Sequence, residues 1–225
     1  MRSPASSSLE SRMRATARPV TARLIVGLGD PVMDVLCRVT RANALDILRD
    51  VDDGSDGDVE IGGCAGVTTA GDLDAIVSRV AAGTRATTPG GSAANVLKGL
   101  AGISRAGRGE DEEDEESLVL TFVGTIEDED AVGEAYEEAL SRAGVRSALA
   151  RRRRATPPLG SARCVCLVDE HGQRTMRTYL GAAAKTTVDD LPMGTLERAD
   201  ALHAEGYALY KPEVLRAACV AAKRN

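Results

Sequence analysis

Two short segments of this chain hold residue types suited to gripping a ligand rich in hydroxyl groups. In Gly29-Asp30-Pro31-Val32-Met33-Asp34 two carboxylates follow a glycine turn, and an ionised carboxylate accepts hydrogen bonds from hydroxyls without donating any. In Pro89-Gly90-Gly91-Ser92-Ala93-Ala94-Asn95 the paired glycines have no Cβ, so the backbone can approach a ligand closely. Ser92 is suited to cap the helix that follows, and Asn95, in the first turn of that helix, both donates and accepts. A tight turn, a helix start and two carboxylates around one pocket point to recognition of a small polyol.

The elements that must position these residues are legible in outline. Residues 24–29 are a short apolar run ending in glycine, as expected of a buried parallel strand whose carboxyl end opens on a site. Ligands of open α/β sheets bind outside the carboxyl ends of strands, which places Asp30 and Asp34 well by topology alone. The Gly- and Asp-rich stretch 51–71 reads as loops and short strands. The spacing of Ala94, Leu97, Leu100 and Ala101 predicts a helix over 92–106, and 118–124 is the next strand.

Further along, 129–142 reads as an amphipathic helix ended by Gly144. The basic run 151–154, followed by Pro157 and Pro158, reads as a solvated loop in preference to a phosphate or nucleic-acid contact. Residues 163–168 and 174–179 flank Asp169-Glu170-His171-Gly172 as an antiparallel hairpin, with His171 in the turn. A strand is expected within 196–206 and a helix over 212–223, opened by Pro212. No internal repeat is present.

Composition narrows the function classes. The chain has 225 residues, of which 43% are apolar, enough for a core. One Phe, four Tyr and no Trp, with a net charge of −6, argue against a nucleic-acid module built on aromatic platforms. No apolar run approaches the ~18 residues of a membrane span. The first 23 residues carry five Arg, five Ser and one acid, Glu10. That is the composition of a plastid or other organellar transit peptide, with an untargeted disordered tail as the alternative and a cytoplasmic protein as its consequence. Without this leader, which carries +4, the body has a net charge of −10.

Seven consecutive acids at 110–116 form the heart of an insertion spanning 108–117. Such a block repels itself and reads as solvated, and nothing in it fixes carboxylates around a metal. The five cysteines include no Cys-x-x-Cys pair and favour reduced thiols. Cys164 and Cys166 fall on one face of a strand, where a packing role is favoured over a metal or redox role.

Taken in chain order, four segments resemble the PfkB-type carbohydrate and nucleoside kinases, the group of ribokinase, fructokinase and adenosine kinase. Residues 27–34 are similar to the opening strand and turn, and 89–95 to the Gly-Gly-Ser-x-x-Asn substrate motif. Residues 122–130 resemble the Phe-Val-Gly-x-Gly-x-Asp segment, with Ile126 at a usual glycine. Residues 164–181 resemble the lid hairpin of the adenosine-kinase-like and plastid fructokinase-like branch.

The resemblance implies a ribokinase-like three-layer α/β sandwich over 24–225, with a small β-sheet lid from about 35–66 and 160–181. It implies substrate hydroxyls held by Asp30, Asp34, Gly90, Gly91 and Asn95, with Glu205 adding a contact from a strand end. Asp30 stands where many members have Asn, which keeps an acceptor and loses a donor. The reaction implied is transfer of the ATP γ-phosphoryl group, with Mg²⁺, to a hydroxymethyl group of a small sugar or nucleoside. An aspartate in a Gly-Ala-Gly-Asp turn would act as general base. No such turn lies within these residues, so the resemblance places that base beyond Asn225 and assigns no catalytic residue to this chain. The expectation is therefore the substrate-binding, amino-terminal two-thirds of such a kinase, inactive alone and incomplete at its carboxyl end. The alternative is a non-catalytic sugar-binding or scaffold protein of the same descent. Pairing of lids into a homodimer is a further expectation, since lid edges are unpaired strands.

Overall fold

The computed structural model describes residues 22–49, 51, 61–106, 118–153 and 158–223. The acidic insertion, all but the last two residues of the leader, and Asn225 lie outside them. Side chains that alternate between two apolar faces of a four-stranded parallel sheet set the main body. Strand β1 (Arg23–Leu28) is followed by β2 (Met33–Arg38), helix α1 (Arg41–Arg49), β3 (Cys64–Gly66), α2 (Ala70–Ser78), β4 (Arg85–Pro89) and α3 (Ser92–Ala106). Next come β5 (Leu118–Glu127), α4 (Ala131–Arg142), β6 (Arg146–Arg152), the hairpin β7 (Arg163–Val168) and β8 (Arg174–Tyr179), α5 (Met193–Leu196), β9 (Ala201–Ala204) and α6 (Pro212–Ala222).

The first sheet has the order β6-β5-β1-β9, all parallel. A parallel sheet carries its crossovers on its faces and is buried on both. On one side Leu120 and Phe122 of β5 pack against Ala94 and Leu97 of α3 and Tyr136 and Leu140 of α4. On the other, Val26, Leu28 and Val123 pack against Leu196 of α5 and Val214 and Ala218 of α6. The three layers follow from that alternation.

The second sheet, of order β3-β8-β7-β2-β4, is mixed and forms the lid. Its odd positions Cys37, Val165 and Leu167 pack against Ala44, Ile47, Leu73 and Ile76 of α1 and α2. With a side-chain period of two, Asp34 and Cys164 are turned to the other face, and they stand side by side in the β2–β7 register. Cys166 lies on that same face as Cys164, and both are buried. The hairpin is antiparallel as expected, and His171 sits in its turn.

Some boundaries differ from the sequence reading, each for a local reason. Strand β5 runs past Gly124 to Glu127 because β6 keeps pairing with it as far as Glu127 opposite Arg152. Arg151 and Arg152 therefore end a strand, not a loop: Arg151 pairs with Glu137, and Arg152 donates to Asp190 at 3.1 Å. Helix α4 starts at Ala131 because Asp130 caps it, accepting from the Gly133 amide at 3.1 Å. Glu129, at φ 52°, stands outside the helix. Strand β9 is confined to four residues, since 193–196 are helical and Asp200 ties the strand's start to Leu24. Among the described residues no helix is long and apolar enough to cross a membrane.

Candidate functional site

The site lies where the carboxyl ends of β1 and β9 meet the lid and the start of α3. Gly90 and Gly91 link β4 to α3, and the Gly90 amide donates to the Val32 carbonyl at 2.8 Å. A Cβ on Gly90 would lie 2.5 Å from the carboxyl carbon of Asp34. Gly91 has φ +84°, and a Cβ there would meet the Asp30 carbonyl oxygen at 2.6 Å. The glycine pair is therefore what lets the two motif segments pack face to face. Behind them the buried Tyr136 hydroxyl donates to the Gly90 carbonyl at 2.9 Å.

Asp34 is half-buried in the lid sheet. Burial pushes its carboxyl above the ordinary range, and Lys98 pulls it part of the way back. Lys98 is itself pushed down by burial, against the pull of Asp34, and donates to the Pro89 carbonyl at 2.5 Å. Asp30 is more enclosed. Burial raises its carboxyl, the Lys211 ammonium lowers it, and Glu205 adds a smaller upward push. Lys211 Nζ donates to Asp30 Oδ1 at 2.6 Å and to the Ala183 carbonyl at 2.8 Å.

Glu205, at the carboxyl end of β9, joins three segments. Its Oε1 accepts from the Asp30 amide at 2.8 Å, and its Oε2 accepts from the Ser92 hydroxyl at 2.8 Å and the Ala93 amide at 3.3 Å. The expected capping by Ser92 is thus not what is found. Ser92 is already the first residue of α3 and donates its proton, while the Glu205 carboxylate meets the free amide and the positive end of the helix.

These groups surround a cavity of about 790 Å³, within the size range of small-molecule sites. Asp30, Asp34, Ser92, Glu205 and Lys211 line its polar side, and Val67, Cys164, Met176 and Leu180 its apolar side. Tyr207 and Tyr210 stand at its edge with ring centroids 6.4 Å apart. The structure brings Asp30, Asp34, Gly91 and Glu205 to this wall, with Gly90 directly behind Asp34. Asn95 is exposed on the first turn of α3 and is not among the lining residues. Lys211 escaped the sequence reading. Its one signal was a lysine just before Pro212, six residues after a strand-end glutamate.

Among the described residues no three His, Cys, Asp or Glu side chains converge to hold a metal ion. These side chains therefore do not form a site for the Mg²⁺ that the resemblance implies. The general base expected beyond Asn225 lies outside the described residues, which end at Lys223.

Residues 65–225 match the pfkB family of carbohydrate kinases, and the chain belongs to that family. No curated protein sequence matches it. In structure it is similar to adenosine kinase from Sinorhizobium meliloti, at TM-score 0.68 and 21% identity, over 90% of this chain and 54% of that one. A probable sugar kinase from Rhizobium etli CFN 42 is similar at TM-score 0.65 and 21% identity, over 91% and 54%. Adenosine kinase from Trypanosoma brucei brucei gives 0.66 and 23%, over 90% and 56%. The fold is thus the ribokinase-like α/β fold of these proteins, and the chain spans about half of their length.

Proposed function

We propose that this chain forms the hydroxyl-binding part of an ATP-dependent phosphotransferase acting on the hydroxymethyl group of a sugar or nucleoside. The observation that carries the reading is Asp34. Its carboxylate is half-buried in the wall of a cavity of small-molecule size, and Gly90 behind it leaves no room for another side chain. A carboxylate so held accepts from a substrate hydroxyl and keeps it in place, and phosphoryl transfer depends chiefly on such positioning. Asp30, Gly91 and Glu205 complete the wall, and Asn95 belongs to the reading only through the motif it ends.

The test is calorimetric titration of the full chain with ribose, fructose and adenosine, with ADP release measured in the same samples after adding ATP and Mg²⁺. Binding of at least one of the three is expected, lost in Asp34→Ala. ADP release separates a chain that turns over from the alternative, a sugar-binding or scaffold protein. Absence of binding to all three would overturn the reading. The leader's composition supports import into a plastid or other organelle, which fusion of residues 1–23 to a fluorescent reporter would test.

A further inference from the structure

The Asp30–Lys211 ion pair stands in the wall of the proposed hydroxyl-binding cavity. Both side chains are largely enclosed, at 13% and 17% exposure, and their atoms approach to 2.6 Å. Removing two charges from water is costly, and apolar replacements of such pairs are often as stable, so stability alone is a weak reason for the pair. Two features point to a ligand instead. Asp30 and Lys211 both line the large cavity, beside Asp34 and Gly91. The ammonium is also fixed from two sides, by Asp30 and by the Ala183 carbonyl, which together use two of its three protons.

We propose that Lys211 is a substrate-binding residue which, with Asp30, takes one hydroxyl group of the ligand as a donor–acceptor pair. The inference rests on the hydroxyl-binding function proposed above. A hydroxyl donates one proton and accepts through its lone pairs, whereas a carboxylate alone can only accept. Lys211 supplies the donor, Asp30 the acceptor, and the pair together offers what a single carboxamide would offer at position 30. Because the ammonium is already held, little side-chain freedom is lost when the ligand arrives. Lys211 lies in the turn after β9, so this pair also joins the start of α6 to the β1 turn that carries Asp30.

The experiment uses the full chain and whichever of adenosine, ribose and fructose binds it, with the deoxy analogues of that ligand each lacking one hydroxyl. Affinities are measured by calorimetry for the wild type, Lys211→Met and the double variant Asp30→Leu/Lys211→Met, with thermal melting alongside. In the wild type one deoxy analogue is expected to bind about tenfold more weakly than the parent, the size of one charge-assisted hydrogen bond. In Lys211→Met the parent loses about that factor and the analogue is unchanged, so the discrimination disappears. The double variant replaces the ion pair by apolar side chains and keeps the test open should the single one fail to fold. It too is expected to treat parent and analogue alike. Parallel weakening of parent and analogue, or discrimination that survives in either folded variant, overturns the proposal and leaves the binding reading standing. A wild type that binds none of the three ligands defeats both.

Discussion

Glu205 holds the start of α3 through Ser92, 113 positions earlier in the chain: the serine hydroxyl donates to Oε2 at 2.8 Å, and the neighbouring Ala93 amide reaches the same oxygen. With the Asp30 amide on Oε1, one buried carboxylate fixes the helix start, the β1 turn and the end of β9 together. This arrangement sets the distance between the two motif segments. It makes Glu205 a residue that holds the cavity wall in shape while lining it.

Replacing Glu205 therefore acts on the fold first. Glu205→Gln keeps one acceptor oxygen but turns an NH₂ group toward backbone and hydroxyl donors, and is expected to cost about 2–3 kcal/mol, the range for losing a charge-assisted hydrogen bond and leaving a donor unpaired. Glu205→Ala should cost more, since all three donors lose their partner. Urea denaturation of the full chain measures both. A loss below about 0.5 kcal/mol in Glu205→Ala, the usual spread for surface changes, would contradict the assignment.

Tyr136 offers a milder probe of the same wall. Burial pushes its hydroxyl well above the ordinary range, with Glu205 and Asp34 adding to the push, so it stays protonated and donates to Gly90. Tyr136→Phe keeps the ring beside Phe122 and removes only this bond. A stability loss of about 1–2 kcal/mol is expected, for a buried carbonyl left without its donor. Ligand affinity should fall as well, because Gly90 is what backs Asp34. An unchanged melting temperature would show that the bond does not hold the turn.

The response to pH follows from Asp34. In the unfolded chain its carboxyl titrates near 3.8, and burial raises the native value above that, with Lys98 opposing. Between the two values the native state holds more protons than the unfolded one. Its contribution to stability is thus fully present below 3.8 and is lost as pH rises through the native value. Ligand binding runs the other way, since the ionised carboxylate accepts from hydroxyls through both oxygens and more strongly than the protonated group does. Affinity is expected to fall on acidification with a midpoint above 3.8. Asp34→Asn should flatten part of the stability slope, the rest belonging to Asp30, which is raised by the same cause. Calorimetric titrations between neutral and acid pH test this, and a midpoint at or below 3.8 would refute it.

What the sequence disclosed, and what it hid, divides by range. The apolar run of β1, the glycine pair before α3 and the hairpin around His171 are local patterns, and each appears where it was read. Helix α1 buries only Ala44, Ile47 and Leu48, too few for a clear periodic signal among its polar neighbours. The Arg-rich β6 lies at the edge of its sheet, where packing demands little of its side chains. The contacts that organise the site were beyond a local reading. Asp30 and Lys211 are 181 positions apart, and nothing near either shows that they meet. The same distance effect hid the role of Ser92, whose type fits a cap but whose partner is set by where β9 ends.

Gly90 and Gly91 are neighbours whose replacement by alanine should fail in different ways. A Cβ on Gly90 would press on the carboxyl group of Asp34, which is a side chain and can turn away. Gly90→Ala is therefore expected to fold, at a cost of about 1–3 kcal/mol for overpacking, and to lose ligand affinity steeply, because the displaced group is the one proposed to hold the hydroxyl. At Gly91 the obstacle is the Asp30 backbone carbonyl at 2.6 Å, together with a φ of +84°. Neither yields by a side-chain rotation, so Gly91→Ala should cost stability first, by the strain of a left-handed residue plus the clash. Melting temperature and ligand affinity measured on both variants separate the two failures. Wild-type affinity in a folded Gly90→Ala would show that Asp34 does not grip the ligand, and would remove the observation on which the proposed function rests.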